Sequence, residues 1–401
     1  MQLLPPHLRL TLTLGAAVAV GAVATRADEP RLPGIDAAMQ RMIAAGEIAG
    51  AVTVVVRPDG IVHLEPHGFA DLATRRAMTS DTVFWIASMT KPVTGAAVAM
   101  LVDDGRLAID DPVDRYVPEF KDLKTAAGRP ARITIRQILT HTSGLGEAAP
   151  EAARQARSLA DLVPAWLAAP MKNEPGEKWV YTQSGINLAA RIVEIVGRRP
   201  FDAFLRERVF EPLGMADTTF CPTEPQRARL ATPYARQRGS GRLEPAAHRL
   251  DFAAPPPPPL GNGGLYSTAR DYAAFCRMLL NRGAVEGRRL LGADGMRALT
   301  TVQTGDLPTG FFQGGQFGSR GGNYGWGLGT CVLEQPHDGV AAMLSPGTFG
   351  HGGAWGTQAW IDPVRQVAYV LMVQRTNFAN SDGSDVRRVF QEAAAAAVEQ
   401  R

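Results

Sequence analysis

Cysteine is scarce: Cys221, Cys276 and Cys331 are the only three among 401 residues, and they stand far apart. An odd count at such spacing gives neither a disulfide framework nor a cysteine metal cluster, so these read as buried free thiols. Net charge is slight as well. Lys plus Arg number 42 against 39 Asp plus Glu, a formal +3 with no cluster of either sign. That leaves no electrostatic footprint for nucleic acid or for an anionic membrane surface. No internal repeat is visible, and beyond the N-terminus no apolar run is long enough to cross a bilayer. No serine stands in a Gly-x-Ser-x-Gly frame, so the strained nucleophile elbow of the α/β-hydrolases is missing. What is present is an ordinary globular composition, 45% hydrophobic and 20% charged, at a length that can bury a large core.

The N-terminus differs from the rest. Arg9 precedes the charge-free run Leu10 to Val23, and Ala22-Val23-Ala24 supplies small residues for a cleavage site. The stretch reads as a secretory signal peptide, residues 1–24 or 1–27, which sends the mature chain to the periplasm or outside the cell with no stable membrane insertion. No Cys lies near the cleavage point, so a lipid anchor is unsupported.

Residues 28–401 read as a single domain. Helical spacing over Ile35, Met39, Met42 and Ile43 leads to the β-branched run Ala51 to Val56, the turn Pro58-Asp59-Gly60 and a return strand from Ile61 to Leu64. Near the other end, Gln358 to Ile361, the turn Asp362-Pro363 and Val367 to Val373 form a second hairpin, and Asp385 to Glu399 a closing helix. The middle is mainly helical: Thr134 to Leu139, Asn187 to Val196 closed by Gly197, and Asp271 to Leu280, with Pro255 to Pro259 a stiff extended loop. Gly310 to Gly329 interleaves Gly with aromatics and reads either as an ordered loop beside a pocket or as plain flexibility. The expected fold class is α/β: one antiparallel sheet built from both chain ends (about 30–86 and about 325–401), flanked by terminal helices, with a helical insertion over about 87–324.

Chemistry concentrates first at Ser88-Met89-Thr90-Lys91. On a helix, residues three apart share a face, so Lys91 hangs beside the Ser88 hydroxyl. Val93, Ala96, Ala97, Met100 and Leu101 continue the helical spacing, and Asp103-Asp104-Gly105 ends it. Backbone N–H groups at a helix N-terminus favour a developing oxyanion, and a buried Lys that loses its charge can take the hydroxyl proton. Tyr181, in Tyr181-Thr182-Gln183, is a general base or acid if neighbouring cations lower its pKa. His351-Gly352-Gly353-Ala354 is a Gly-rich run entering a strand, where a backbone can approach a ligand closely.

In this order the three segments resemble the three motifs of the serine β-lactamase and penicillin-binding-protein superfamily, on the branch of class C β-lactamases, D,D-carboxypeptidases, D-aminopeptidases and related esterases. Leu139-Thr140-His141-Thr142-Ser143-Gly144-Leu145, Phe210-Glu211-Pro212-Leu213-Gly214-Met215 and Gly261-Asn262-Gly263-Gly264-Leu265-Tyr266 match as well, so the resemblance runs from about Ile35 to Ala396. It implies Ser88 as the acylated nucleophile, Lys91 and Tyr181 as its proton partners, an oxyanion hole from the N–H groups of Ser88 and Ala354, and Gln183, His351, Gly352 and Gly353 as substrate contacts. No cofactor or metal is implied.

Two departures bear on substrate. Gln183 stands where class C enzymes have Asn, and His351 where they have Lys. A neutral His does not offer the permanent cation suited to a β-lactam or peptide carboxylate. The reading is therefore a serine hydrolase of small-molecule carboxylic esters or small amides. The alternatives are a β-lactamase or D-amino-acid-specific peptidase or carboxypeptidase acting on cell-wall peptides, and a non-hydrolysing penicilloyl-binding sensor. His63, Glu65 and His67 have strand spacing that could ligate a metal but read as solvated edge-strand residues, and His141 as a loop residue with a structural hydrogen bond.

Overall fold

The computed structural model describes residues 29–313, 316–319, 323–378 and 382–400. The N-terminal run read as a signal peptide lies outside the described residues. In chain order the main elements are α1 (Ile35–Ala44), β1 (Gly50–Arg57), β2 (Gly60–Asp71), β3 (Arg76–Ala77), α2 (Thr90–Asp103), α3 (Ser184–Gly197), α4 (Ala269–Leu280) and α5 (Ala293–Thr300). They continue with β4 (Tyr324–Trp326), β5 (Cys331–Leu333), β6 (Phe349–Gly352), β7 (Gln358–Asp362), β8 (Val367–Met372) and α6 (Asp385–Glu399). The eight strands form one antiparallel sheet in the order β4-β5-β6-β7-β8-β1-β2-β3. Both chain ends thus meet at its centre, where β1 pairs with β8 in the register Val54↔Val370.

The β-branched run explains that centre. In a strand, alternate side chains face opposite sides. Val52, Val54 and Val56 enter the large core beneath the helical region, while Ala51 and Val55 pack against α1 and α6. A sheet covered on both faces has no solvent side, so the sequence shows no polar alternation there. Each such fully buried Val contributes about 1.5–3 kcal/mol relative to exposure. Val54→Asp would instead place an unpaired carboxylate in the core.

α2 is the centre of the other half. Every residue from Thr90 to Leu101 is buried, as expected of a helix that is apolar all round. Gly95 is required here, because a Cβ would stand 1.8 Å from the Leu328 carbonyl oxygen. The helix ends at Asp103, and Gly105 follows with φ +67°. α3 starts at Ser184, and its last turn differs from the expected glycine stop. The left-handed residue after it is Arg198 (φ 56°), while Gly197 lies within the helix. A Cβ on Gly197 would meet the Phe204 ring at 2.8 Å, so packing rather than backbone reversal explains this glycine. The Gly310 to Gly329 stretch contains a short ribbon, Gly310–Gln313 with Gln316–Ser319, followed by strand β4.

Candidate active site

Ser88 sits in the 3-10 turn Ala87–Met89 that opens directly into α2. The preceding Ala87 has φ 47°, a left-handed conformation that costs a non-Gly residue on the order of 1–3 kcal/mol. The surroundings hold it there: Thr90 Oγ1 donates to the Ala87 carbonyl at 2.7 Å, Met89 N–H to the Ile86 carbonyl at 3.1 Å, and Ile86 N–H to the Leu265 carbonyl at 3.0 Å.

One turn along, Lys91 is fully buried, with Nζ 2.9 Å from Ser88 Oγ, 3.0 Å from Gln183 Oε1 and 2.7 Å from the Asn262 carbonyl oxygen. Burial brings its pKa down to about 7, against the opposing pull of the Glu147 carboxylate. This geometry orients the neutral amine. The Asn262 carbonyl can only accept, and Gln183 Oε1 also accepts from Asn262 Nδ2 at 2.8 Å. Two N–H bonds are therefore committed to these oxygens, and the lone pair is left facing Ser88.

Tyr181 closes the other side. Its hydroxyl donates toward Ser88 Oγ at 3.1 Å and lies 3.2 Å from His351 Nε2. His351 Nδ1 is 2.7 Å from the Gly352 carbonyl oxygen, which can only accept, so Nδ1 carries the hydrogen and Nε2 is an acceptor. Burial, and then the Lys91 charge, brings the His351 pKa down to about 3. His351 is thus a neutral ring, a point the sequence leaves open. For Tyr181 the structure reverses the expected route to a base. Burial pushes the phenol far above its ordinary range, so it exchanges protons as a neutral hydroxyl. Lys91 is the group poised to accept.

A cavity of about 340 Å³ opens on this cluster, lined by Ser88, Tyr181, Gln183, His351, Gly352, Gly353 and Ala354 together with Trp179, Trp326, Cys331, Thr376, Phe378 and Asp382. Ser88, Tyr181, Gln183, His351, Gly352, Gly353 and Ala354 thus meet at one place, and Lys91 joins them through its contacts with Ser88 and Gln183. Gly353 is pressed between chains: a Cβ would lie 2.0 Å from Thr357 Oγ1 and 2.7 Å from the Ile86 carbonyl oxygen. The glycine keeps Ala354 close to the turn that carries Ser88. His141 does not line the cavity. It is buried behind Tyr181 with ring centroids 4.4 Å apart, has φ 61°, and its Nδ1 accepts from Thr182 N–H at 3.3 Å.

Sequence reasoning missed several members of the site. Glu147 accepts from Gln183 N–H at 2.6 Å, Ser184 N–H at 3.1 Å and Ser184 Oγ at 2.8 Å, capping the start of α3 and fixing Gln183. Asn262 acts on Lys91 through a backbone carbonyl, which no side-chain pattern reveals. Trp326, Phe378 and Asp382 reach the cavity by tertiary folding alone.

His63, Glu65 and His67 are buried rather than solvated, a correction to their sequence reading. β1 pairs with this part of β2 on one side, the Pro30 carbonyl accepts from Leu64 N–H at 2.9 Å on the other, and α1 covers this face. Their donor atoms lie within 4.8 Å of one another, but both imidazoles are already engaged. Thr53 Oγ1 sits 2.8 Å from each Nε2, Leu32 N–H donates to His63 Nδ1 at 3.0 Å, and Asp36 holds His67 Nδ1 at 3.1 Å. A metal on His63 Nε2 would force a hydrogen onto Nδ1, against the Leu32 N–H. The cluster is a satisfied polar network.

Known proteins align with this chain over most of its length. The family model described as Beta-lactamase matches residues 35–394. Protein Rv1367c of Mycobacterium tuberculosis is 35% identical over 371 residues, covering 86% of this chain and 90% of the relative. Esterase EstB of Burkholderia gladioli is 30% identical over 379 residues, with 87% and 91% covered. Penicillin-binding protein 4 of Amycolatopsis lactamdurans is 32% identical over 304 residues, with 75% and 73% covered. Among solved structures, EstCE1, a hydrolase with promiscuous acyltransferase activity, superposes with a TM-score of 0.74 at 22% identity, covering 90% of this chain and 97% of its own. That likeness is one of fold.

Proposed function

The chain belongs to the beta-lactamase family, and from that premise we propose that it is a serine hydrolase that acylates Ser88 and turns over carboxylic esters or small amides. The observation that carries this reading is the Lys91 amine 2.9 Å from Ser88 Oγ, buried enough to be half-deprotonated near neutrality.

In the first step neutral Lys91 takes the Ser88 proton as Oγ adds to the substrate carbonyl. The N–H groups of Ser88 and Ala354 receive the oxyanion, a contribution of about 3–4 kcal/mol for a well-placed donor. As the tetrahedral intermediate collapses, the Tyr181 hydroxyl passes its proton to the leaving alkoxide and takes back from the Lys91 ammonium the one removed from Ser88, which leaves Lys91 neutral and Ser88 Oγ acylated. In deacylation a water takes the alcohol's place, and the same groups run in reverse. Neutral His351 offers no cation to a substrate carboxylate, which favours esters over β-lactams and peptide C-termini. The 30% identity to an esterase supports the same choice. The charge-free run after Arg9 supports export to the periplasm or medium.

The test is turnover of p-nitrophenyl butyrate beside a chromogenic cephalosporin. Ester hydrolysis is expected to dominate, to vanish in Ser88→Ala, and to fall at least about 100-fold in Lys91→Ala and in Tyr181→Phe. Hydrolysis of the cephalosporin alone would overturn the substrate assignment. Wild-type rates in Ser88→Ala would overturn the mechanism.

A further inference from the structure

The walls of the cavity beside Ser88 carry a second message, about charge. Trp179, Tyr181, Trp326 and Phe378 supply aromatic surface, and a carboxylate, Asp382, lies among them. Among the described residues lining the cavity there is no Lys or Arg. His351, which could have been cationic, is held neutral. The nearby cations stand behind the walls. Lys91 lies beneath Ser88, Arg375 stacks on Phe378 at 4.3 Å and pairs with Glu47 at 2.6 Å, and Arg387 lies over Trp360 at 4.4 Å, where it donates to the Asp382 carbonyl oxygen at 2.8 Å and offsets part of the effect of burial on the Asp382 carboxyl.

Asp382 is seated deliberately close to the reacting groups. Its Oδ1 accepts from Gln358 Nε2 at 2.9 Å, and a Cβ on Gly352 would lie 1.7 Å from that same oxygen. The bare Cα of Gly352 therefore lets the carboxylate stand directly against the strand that carries His351. Its charge also opposes ionisation of Tyr181, so it acts on the catalytic cluster electrostatically. Aromatic faces attract a cation through their ring quadrupoles, and a carboxylate adds a direct charge partner.

We propose that this cavity selects esters or amides bearing a cationic nitrogen, a primary or quaternary ammonium, with Asp382 as the specificity-determining residue. The inference rests on the serine-hydrolase reading and names its substrate class. Among the described residues lining the cavity an anionic substituent meets no Lys or Arg, and a neutral one gains only apolar contact. Burial pushes the Asp382 carboxyl up, and an ammonium lodged beside it stabilises the ionised form.

Two matched ester pairs test the proposal on the wild-type chain. One is butyrylcholine against the ester with tert-butyl in place of trimethylammonium. The other is the p-nitrophenyl ester of trimethylammoniobutyrate against its carbon isostere. The expected result is kcat/KM higher for the cationic member by ~10-fold or more in at least one pair, with near parity in Asp382→Asn. Neutral esters turned over as well as or better than the cationic ones in both pairs would overturn the proposal and leave the hydrolase reading intact. Should Asp382→Asn not fold, choline and its tert-butyl analogue are compared as inhibitors of wild-type p-nitrophenyl butyrate hydrolysis, and equal potency overturns the proposal. If no ester is turned over, the hydrolase reading fails. Saturable quenching of tryptophan fluorescence by choline but not by its analogue would then still support cation binding, and equal quenching would overturn it.

Discussion

Replacing Gln183 by Glu places a carboxylate where Gln183 Oε1 now stands, 3.0 Å from Lys91 Nζ. Lys91 must be neutral to take the Ser88 proton. Its pKa of about 7 therefore predicts a wild-type kcat/KM that falls on the acid side of neutrality, by ~10-fold per pH unit. Of the other titrating groups around Ser88, His351 is pushed down to about 3, His141 well down and Tyr181 far up, so none of these places a limb near pH 7. Coulomb attraction at that separation comes to ~5 kcal/mol at an effective dielectric constant of about 20, equivalent to ~4 in pKa. Desolvation of the new carboxylate takes back part of this, leaving an upward displacement of the limb by about two pH units. Gln183→Glu should accordingly lose ~100-fold in kcat/KM near neutrality and recover most of it in alkali. The assay is the pH profile of p-nitrophenyl butyrate hydrolysis at constant ionic strength, followed at an isosbestic wavelength and corrected for spontaneous hydrolysis. A flat wild-type profile from about pH 5 to about pH 9, or a limb that the substitution leaves in place or moves downward, would refute Lys91 as the base.

Glu147 tests the same balance from the other side. Its negative charge holds the Lys91 pKa up, so Glu147→Ala should move the acid limb to lower pH and lower kcat, while the lost cap on α3 lowers stability by about 1–2 kcal/mol. An unmoved limb would reduce Glu147 to a cap. Gly353→Ala drives a methyl group to 2.0 Å from Thr357 Oγ1 and 2.7 Å from the Ile86 carbonyl oxygen, which displaces the neighbouring Ala354 N–H. The expected loss is about 100-fold in kcat with little change in KM, at unchanged circular dichroism. A kcat within about twofold of wild type would remove Ala354 from the proposed oxyanion hole.

Much of this site could be read from the chain because its parts are local. Ser88 and Lys91 share a helix face, so their spacing alone predicts contact. Tyr181 and His351 were legible through their setting in short motifs. The hairpins were legible because β-branched runs flank Pro58-Asp59-Gly60 and Asp362-Pro363. What stayed hidden depends on who covers whom. The strand alternation of His63, Glu65 and His67 puts them on one face, but only the packing of α1 decides that the face is dry. The direction of the Tyr181 shift needed the depth of its burial. Glu147, the Asn262 carbonyl and Asp382 act across long sequence separations, where no periodicity points. Gly197 shows the converse, a glycine in a stop position whose role is to make room for Phe204.

The pairing of β1 with β8 has a consequence for how the polypeptide is made. The helix α2 is synthesised well before β8, the strand that pairs with β1, and the long closure between β1 and β8 is slow in entropic terms. A product that stops before Val367 therefore carries the serine and lysine but leaves β1 without its partner strand. Products shortened in this way are expected to be inactive.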